Sequence, residues 1–237
     1  MPYELYYWPS IQGRGEFVRL ALEEAGAEYA DVARESAKGM RAMQSLMDKG
    51  ERPPFAPPFL RDGDVIIGQT AAILFYLGDR HDLAPKDEAG RLWTHQIQLT
   101  IADLVVEAHD THHPIASGLY YEDQKKEAAR RSEDFRDNRV PKYLDWFETI
   151  LARNPAGPKH LVGDKVSYAD LSLFQIVAGL TYAFPKLIKR ELRKYPKIAA
   201  LHKAVARRPR IKAYLASPRR IPFNESGIFR RYPELDA

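Results

Sequence analysis

The first residues able to do chemistry are Tyr7 and Ser10. They stand in a loop between a β-type run and an amphipathic run in YELYYWPSIQGRGEFVRL, residues 3–20. The chain has no cysteine, so it has no disulfide, thiolate-bound metal or catalytic thiol of its own, and sulfur chemistry requires a thiol brought by a ligand. A tyrosine hydroxyl suits that task. A free thiol with a pKa near 8.5 is only about 3% ionised at neutral pH, and a donor favouring the anion by about two units supplies roughly 2.7 kcal/mol. Most of the thiol would then be a nucleophile. On spacing alone, a half-buried strand tyrosine is an equal reading of Tyr7.

The elements that position this loop follow from local pattern. Glu4 to Trp8 is rich in β-favouring residues and stops at Pro9, while Phe17, Leu20, Ala21 and Ala25 share one helical stripe that Gly26 ends. Ligands collect beyond the carboxyl ends of strands in such βα units, where N–H groups and the positive end of a helix point at open space. A short strand is expected over Tyr29 to Ala33, then a helix over Ala37 to Asp48 with Met40, Met43 and Met47 as core filler. In RPPFAPPFLRDGDVIIGQT, four prolines make a rigid approach to a hairpin of Phe59–Arg61 and Val65–Ile67 around an Asp62-Gly63 turn. Thr70 is the expected N-cap of the next helix, with Ile73, Leu74 and Leu77 facing inward.

HDLAPKDEAGR then reads as a connector, and from Arg91 the pattern changes to long helices. Trp93, Ile97, Ile101, Leu104, Val105 and Ala108 form the stripe of a helix in a bundle that Pro114 ends. Glu122 to Phe135 is charged and expected to be exposed, and Tyr143 to Leu151 is amphipathic. Ser167 three residues before Asp170, ahead of an apolar run, has the spacing of a capping box, so both are read as structural. The division expected is an α/β domain over 1–81, a linker over 82–90, and an all-α helical bundle over 91–237 closed by the aromatic tail RRIPFNESGIFRRYPELDA.

With 237 residues and 45% apolar content the chain can bury a full core. Its start shows no basic stretch leading into an apolar one, and no apolar run reaches the roughly 18 residues of a membrane span, so a soluble, cytoplasmic protein without membrane partners is expected. The net charge of +4 is uneven: residues 186–220 hold thirteen Lys or Arg against Glu191 alone. Leu187, Ile198, Leu201, Val205 and Leu215 give this stretch an ordinary buried side, which favours a solvated helical flank over nucleic-acid contact. His109, His112 and His113 with Asp110 offer metal-type ligands, and His109 and His113 are four apart. The carboxylate of an HExxH arrangement is missing and Pro114 breaks the helix at once, so no metal is assigned and solvent-facing or pocket-lining histidines are expected.

Four stretches in order, YYWPSIQGRGEFVR, PPFL, GQT and VSYADLSLF, resemble the cytosolic glutathione transferases over nearly the whole chain. The Tyr-Trp start with Gly-Arg downstream is most similar to the tyrosine-using, sigma-like branch. The resemblance implies a thioredoxin-like N-terminal domain before the helical one, a homodimer, and detoxification by conjugating the thiolate of glutathione, the co-substrate, to small apolar electrophiles. It implies that Tyr7 holds the sulfur and that Arg14 lies near it. Gln69 and Thr70 would hold the γ-glutamyl carboxylate, and Pro58 would be the cis-proline that exposes Pro57 to the cysteinyl portion. Asp103 would reach the partner subunit's glutathione, and Trp8 would border the electrophile cavity, which Tyr120 and Tyr121 either line or leave to anchor a loop.

The chain departs from that pattern at three places. The loop from Tyr7 to Arg14 is one residue longer than in the mu and pi classes, which makes Ser10 the runner-up donor. Pro57 has no N–H for the peptide, a loss of about 1 kcal/mol if nothing replaces the bond. Ala56 stands where Gln or Lys often meets the glycyl end, with Arg52 or Lys49 as substitutes. The rival readings are a non-catalytic glutathione or ligand holder of the same fold and a glutathione-dependent peroxidase.

Overall fold

Residues 3–20 fold as a strand, a loop and a helix, β1 (Tyr3–Tyr6) and α1 (Gly15–Ala25), in a computed structural model that describes residues 2–237. Gly26 ends α1 in the left-handed region, φ 66°, and its N–H caps the carbonyls of Leu22 and Glu23. β2 (Tyr29–Asp31) returns parallel to β1, completing a βαβ unit. It is shorter than the expected Tyr29–Ala33, because α2 (Val32–Glu35) begins at once and buries Ala33. α3 (Ala37–Lys49) is capped by the Ser36 hydroxyl and packs Met43, fully buried, beneath the sheet.

β3 (Phe59–Asp62) and β4 (Val65–Gly68) pair antiparallel with Asp62 opposite Val65. That register places Gly63 and Asp64 in the turn, one residue later than the sequence suggested, with Gly63 at φ 60° supplying the left-handed step. The four strands are ordered β2-β1-β3-β4. Side chains alternate across the sheet. Leu5 and Leu60 join the large core with α1 and α4 (Thr70–Arg80), whereas Tyr6 and Phe59 stack at 4.7 Å in a smaller cluster with Ala33 and Met43.

The helical domain starts earlier than Arg91. The Asp87 carboxylate accepts the Gly90 N–H at 2.8 Å and opens α5 (Glu88–Asp110), which shortens the connector expected over 82–90. α6 (Lys125–Asp134) and α7 (Val140–Arg153) are joined by a π-helical turn over Phe135–Arg139. α6 is mostly exposed, as its charge suggested, but Ala128 and Ser132 are buried. α8 (Tyr168–Ala183) is apolar nearly all round and packs against α1, α5 and α10 (Pro196–Arg207). Its start carries the expected capping box: Ser167 N–H and hydroxyl both reach Asp170, whose other oxygen takes the Leu161 N–H at 2.8 Å. α9 (Pro185–Glu191) and α11 (Pro209–Leu215) complete the set.

The basic flank has a structural use. Arg208 grips Glu24, Arg219 grips Glu23 through two bonds of 2.9 Å, Arg220 pairs with Glu16, and Arg210 donates to the carbonyls of Glu24 and Ala25. These cations bolt the C-terminal region to α1, so much of the apparent surplus is spent inside the molecule. The aromatic tail packs down as well: Ile221, Ile228, Phe229 and Leu235 are buried and Tyr232 stacks on Tyr121 at 3.8 Å.

Candidate functional site

Tyr7 follows the last residue of β1 and turns its side chain under the start of α1. The ring is 4% exposed, and its hydroxyl oxygen accepts the Arg14 N–H at 2.8 Å. Gly13 and Gly15 make room for it. A Cβ at Gly13 would lie 2.0 Å from Tyr7 Oη, and one at Gly15 would lie 2.5 Å from the ring at Cδ1. Gly13 also adopts φ 45°, so both its backbone angle and its neighbour require a residue without a side chain. The run Gly13-Arg14-Gly15 is thus cut to fit this phenol.

The electrostatics keep Tyr7 protonated. Burial pushes its pKa up, and the Arg14 N–H together with the charges of Arg14 and Arg19 works in the opposite sense without overcoming it. A neutral phenol that accepts from Arg14 still has its own proton to give. No acceptor takes that proton among the described residues. Arg19 lies beneath the ring, 5.7 Å from its centroid, and is itself fully buried. Burial alone would lower the guanidinium's pKa, but Glu16 and Asp31 raise it and keep it charged.

The loop bearing Tyr7 is tied from behind. Gln12 is buried; its amide donates to the carbonyl of Ile221, and its Oε1 accepts from Gln175 Nε2 at 2.8 Å. Arg220 bonds Gln175 Oε1 at 2.9 Å as well as Glu16, and the Tyr214 hydroxyl donates to Glu16 Oε1 at 2.7 Å. Asn224 donates to the carbonyl of Ser10 at 2.9 Å. Sequence reasoning missed this set. Its one local signal was the Glu16–Arg19 pair at i,i+3 among the apolar residues of the first two turns of α1.

The second part of the site is the junction of β4 and α4. Gln69, not Thr70, is the N-cap, and it sits at φ 65°, a conformation that is costly for a residue with a side chain. Thr70 is the first helical residue, and its Oγ1 is buried with no hydrogen-bond partner among the described residues. The Gln69 carbonyl accepts the Ile73 N–H at 3.0 Å, and the Thr70 hydroxyl sits in the first turn of the helix, where the N–H groups have no intrahelical acceptor. A helix N-terminus beside a hydroxyl without a partner has the chemistry to receive a carboxylate. The Pro57–Pro58 peptide is cis, as the family resemblance implied.

The remaining candidates divide. Ser10 is exposed in the middle of the loop, and no hydrogen bond of its hydroxyl joins it to Tyr7 or Arg14. Trp8 is 39% exposed next to Tyr7 and forms an apolar rim. Tyr120 is exposed, while Tyr121 is buried, bonds Glu234 at 2.9 Å and anchors the tail. Asp103 lies on the outer face of α5, on the same stripe as the exposed Leu92, Leu99 and Val106 and far in character from its buried face. Phe55, in the proline segment, is 96% exposed. His112 and His113 are not solvent-facing, as one sequence reading had it; burial pushes their pKa values down to about 3 and about 4. A cleft between residues 82–87 and 162–167 shares no residue with the Tyr7 site and is bridged by Lys165 and Asp82, the join between linker and bundle.

Comparison with known proteins follows this geometry. Residues 1–79 match the glutathione S-transferase N-terminal domain and residues 109–218 its C-terminal domain. The chain is 30% identical over 234 residues to glutathione S-transferase P of Bos taurus, covering 95% of this chain and 98% of that protein. It is 28% identical to glutathione S-transferase P 1 of Xenopus laevis, covering 92% and 93%. Among solved structures, the Pi-class glutathione S-transferase of Onchocerca volvulus superposes with a TM-score of 0.70 at 26% identity, covering 91% of this chain and 92% of that one. The sigma-like branch expected from the Tyr-Trp start finds no support among these P-type and Pi-class relatives.

Proposed function

The chain belongs to the glutathione S-transferase family, and on that premise we propose that it joins the thiolate of glutathione to a small, apolar electrophilic carbon, with Tyr7 as the group that holds the sulfur. The observation that carries this reading is the Tyr7 hydroxyl, which is fixed by the Arg14 N–H at 2.8 Å and has its own proton unclaimed. A thiolate placed against that proton gains a hydrogen bond that the neutral thiol does not, and the first turn of α1 adds its partial positive charge. The thiol proton leaves to solvent, the sulfur attacks carbon to form a thioether, and the leaving group departs with the electron pair.

The rest of the site holds the peptide. Gln69 and Thr70 receive the γ-glutamyl carboxylate, and the otherwise idle Thr70 hydroxyl becomes a donor there. Pro57 contributes a carbonyl alone to the cysteinyl portion, and Arg14 adds positive charge near the loop. Trp8 borders the electrophile. The apolar stripe Leu92, Leu99 and Val106, with Phe55 protruding, is the face by which two copies would form a homodimer, and Asp103 within that stripe would reach the partner's peptide.

The test is a conjugation assay with glutathione and a chlorodinitrobenzene-type electrophile. Tyr7→Phe should lower kcat/KM by about tenfold to a hundredfold, in keeping with loss of roughly 1.4–2.7 kcal/mol of thiolate stabilisation. It should also move the acid limb of the pH–rate profile upward. A Tyr7→Phe protein as active as the parent would transfer the role to Ser10 or to the helix terminus. A parent that binds glutathione without conjugating it would favour the holder reading, for which Pro57, lacking a peptide N–H, is the supporting observation.

A further inference from the structure

We infer that His109, His112 and His113 form a binding site for one divalent transition-metal ion of the zinc or cobalt type, at the C-terminal end of α5. This inference is independent of the conjugation reading. The three residues each present one ring nitrogen, and these atoms lie within 4.8 Å of one another. His109 stands in the last turn of α5, and the turn that follows brings His112 and His113 back against it, with ring centroids 4.7–5.1 Å apart. From sequence, the missing HExxH carboxylate and the Pro114 break weigh against a metal. The chain instead closes on itself before the proline.

One of the three rings is oriented by the backbone, and the His109 and His113 rings stack at 4.8 Å. His112 Nε2 donates to the Ile228 carbonyl at 2.7 Å, which leaves Nδ1 with its lone pair directed inward. That Nδ1 lies 2.5 Å from His113 Nδ1, a hydrogen-bonding contact in which one nitrogen carries the proton and the other accepts it, so an ion entering here takes the place of that proton. A tetrahedral ion with bonds of about 2.0–2.1 Å sets its nitrogen ligands roughly 3.3 Å apart, so binding requires the two nitrogens to part by under about 1 Å and the shared proton to leave Nδ1. His109 Nδ1 lies 3.4 Å from Asp110 Oδ1, the carboxylate contact that commonly orients a ligating imidazole.

Three neutral imidazoles bring no negative charge, and the charges of Arg14 and Arg230 reach His109. The fourth position therefore suits an anion from solvent, which lowers the charge of the bound ion. Imidazole donors and an open fourth position suit zinc or cobalt rather than magnesium or calcium, which take oxygen ligands.

The test uses the full-length chain without an affinity tag, stripped with a chelator and titrated with Co2+. The expected result is one ion per chain, the visible bands of four-coordinate cobalt, and displacement by Zn2+ but not by Mg2+. His109→Gln and His113→Gln should each weaken binding at least about tenfold, and the double variant should abolish it, while His95→Gln on the same helix leaves it unchanged. His112 is left intact because it also holds the tail through Ile228. X-ray absorption on the cobalt-loaded parent, reading three imidazole ligands, decides the matter even if the double variant fails to fold. Absence of saturable binding, or binding that survives in a folded double variant, overturns the site.

Discussion

The side-chain amide of Gln12 donates to the backbone carbonyl of Ile221, joining residues 209 positions apart and tying the C-terminal segment to the loop that carries Tyr7. Gln175 and Arg220 extend the tie to Glu16 in the first turn of α1. The loop has no regular structure of its own, so its shape depends on these buried polar contacts. Gln12→Ala leaves the Ile221 carbonyl and Gln175 Nε2 without their partner and should cost about 1–3 kcal/mol in urea unfolding. Conjugation should lose kcat as well as glutathione affinity, because Tyr7 and Arg14 move with the loop. A variant destabilised to this extent with unchanged kcat would limit Gln12 to a folding role.

Gly13 tests the fit between loop and phenol. An added methyl would overlap Tyr7 Oη at 2.0 Å and would also strain a backbone at φ 45°. Gly13→Ala should therefore destabilise the protein strongly, by more than about 2 kcal/mol. In a Tyr7→Ala background the clash disappears and only the backbone strain remains, so the same substitution should cost distinctly less. Equal costs in the two backgrounds would show that the ring does not set the requirement for glycine.

What could be read from the chain was local, and what could not was long-range. The Gly26 stop, the Ser167–Asp170 box and the position of Tyr7 after β1 each depend on residues within a few positions of one another, while the cis Pro57–Pro58 peptide was implied by the family resemblance. The Glu16–Tyr214 bond spans 198 positions, and neither partner has a neighbour that announces it. The thirteen cations of residues 186–220 were visible, but their acidic partners on α1 were not. Thr70 was misplaced as a cap for a related reason: its hydroxyl is of the right type, but Gln69 takes the cap at positive φ, a choice that local preference disfavours.

Glu191 supplies a pH prediction. Burial alone would raise its pKa, yet Arg190 at 2.9 Å and Lys194 at 2.9 Å and 3.1 Å hold the carboxyl below its ordinary value. A carboxyl depressed in the folded state stabilises it fully above the ordinary value, near 4.5, and that contribution is lost as pH falls through the depressed one. Glu191→Gln should thus cost about 1 kcal/mol at neutral pH, discounted for the exposure of both cations, and the gap between parent and variant should close in acid. Thermal melts across that range would reject the assignment if the gap stayed constant.

Thr70→Val separates binding from folding at the second part of the site. The Thr70 hydroxyl is buried and meets no partner in the protein, so replacing it with a methyl of similar shape removes no intramolecular hydrogen bond and relieves an orphaned polar atom. Stability should hold or rise by up to about 1 kcal/mol, the low end of the cost of a buried polar group without a partner. Glutathione binding should nonetheless weaken about fivefold, in keeping with loss of roughly 1 kcal/mol from one donor to a carboxylate, and appear as a higher KM with kcat nearly unchanged. A destabilised variant would mean that the hydroxyl does serve the fold. A stable variant with an unaltered KM would remove Thr70 from the peptide's seat and leave the first-turn N–H groups of α4 to bind the carboxylate alone.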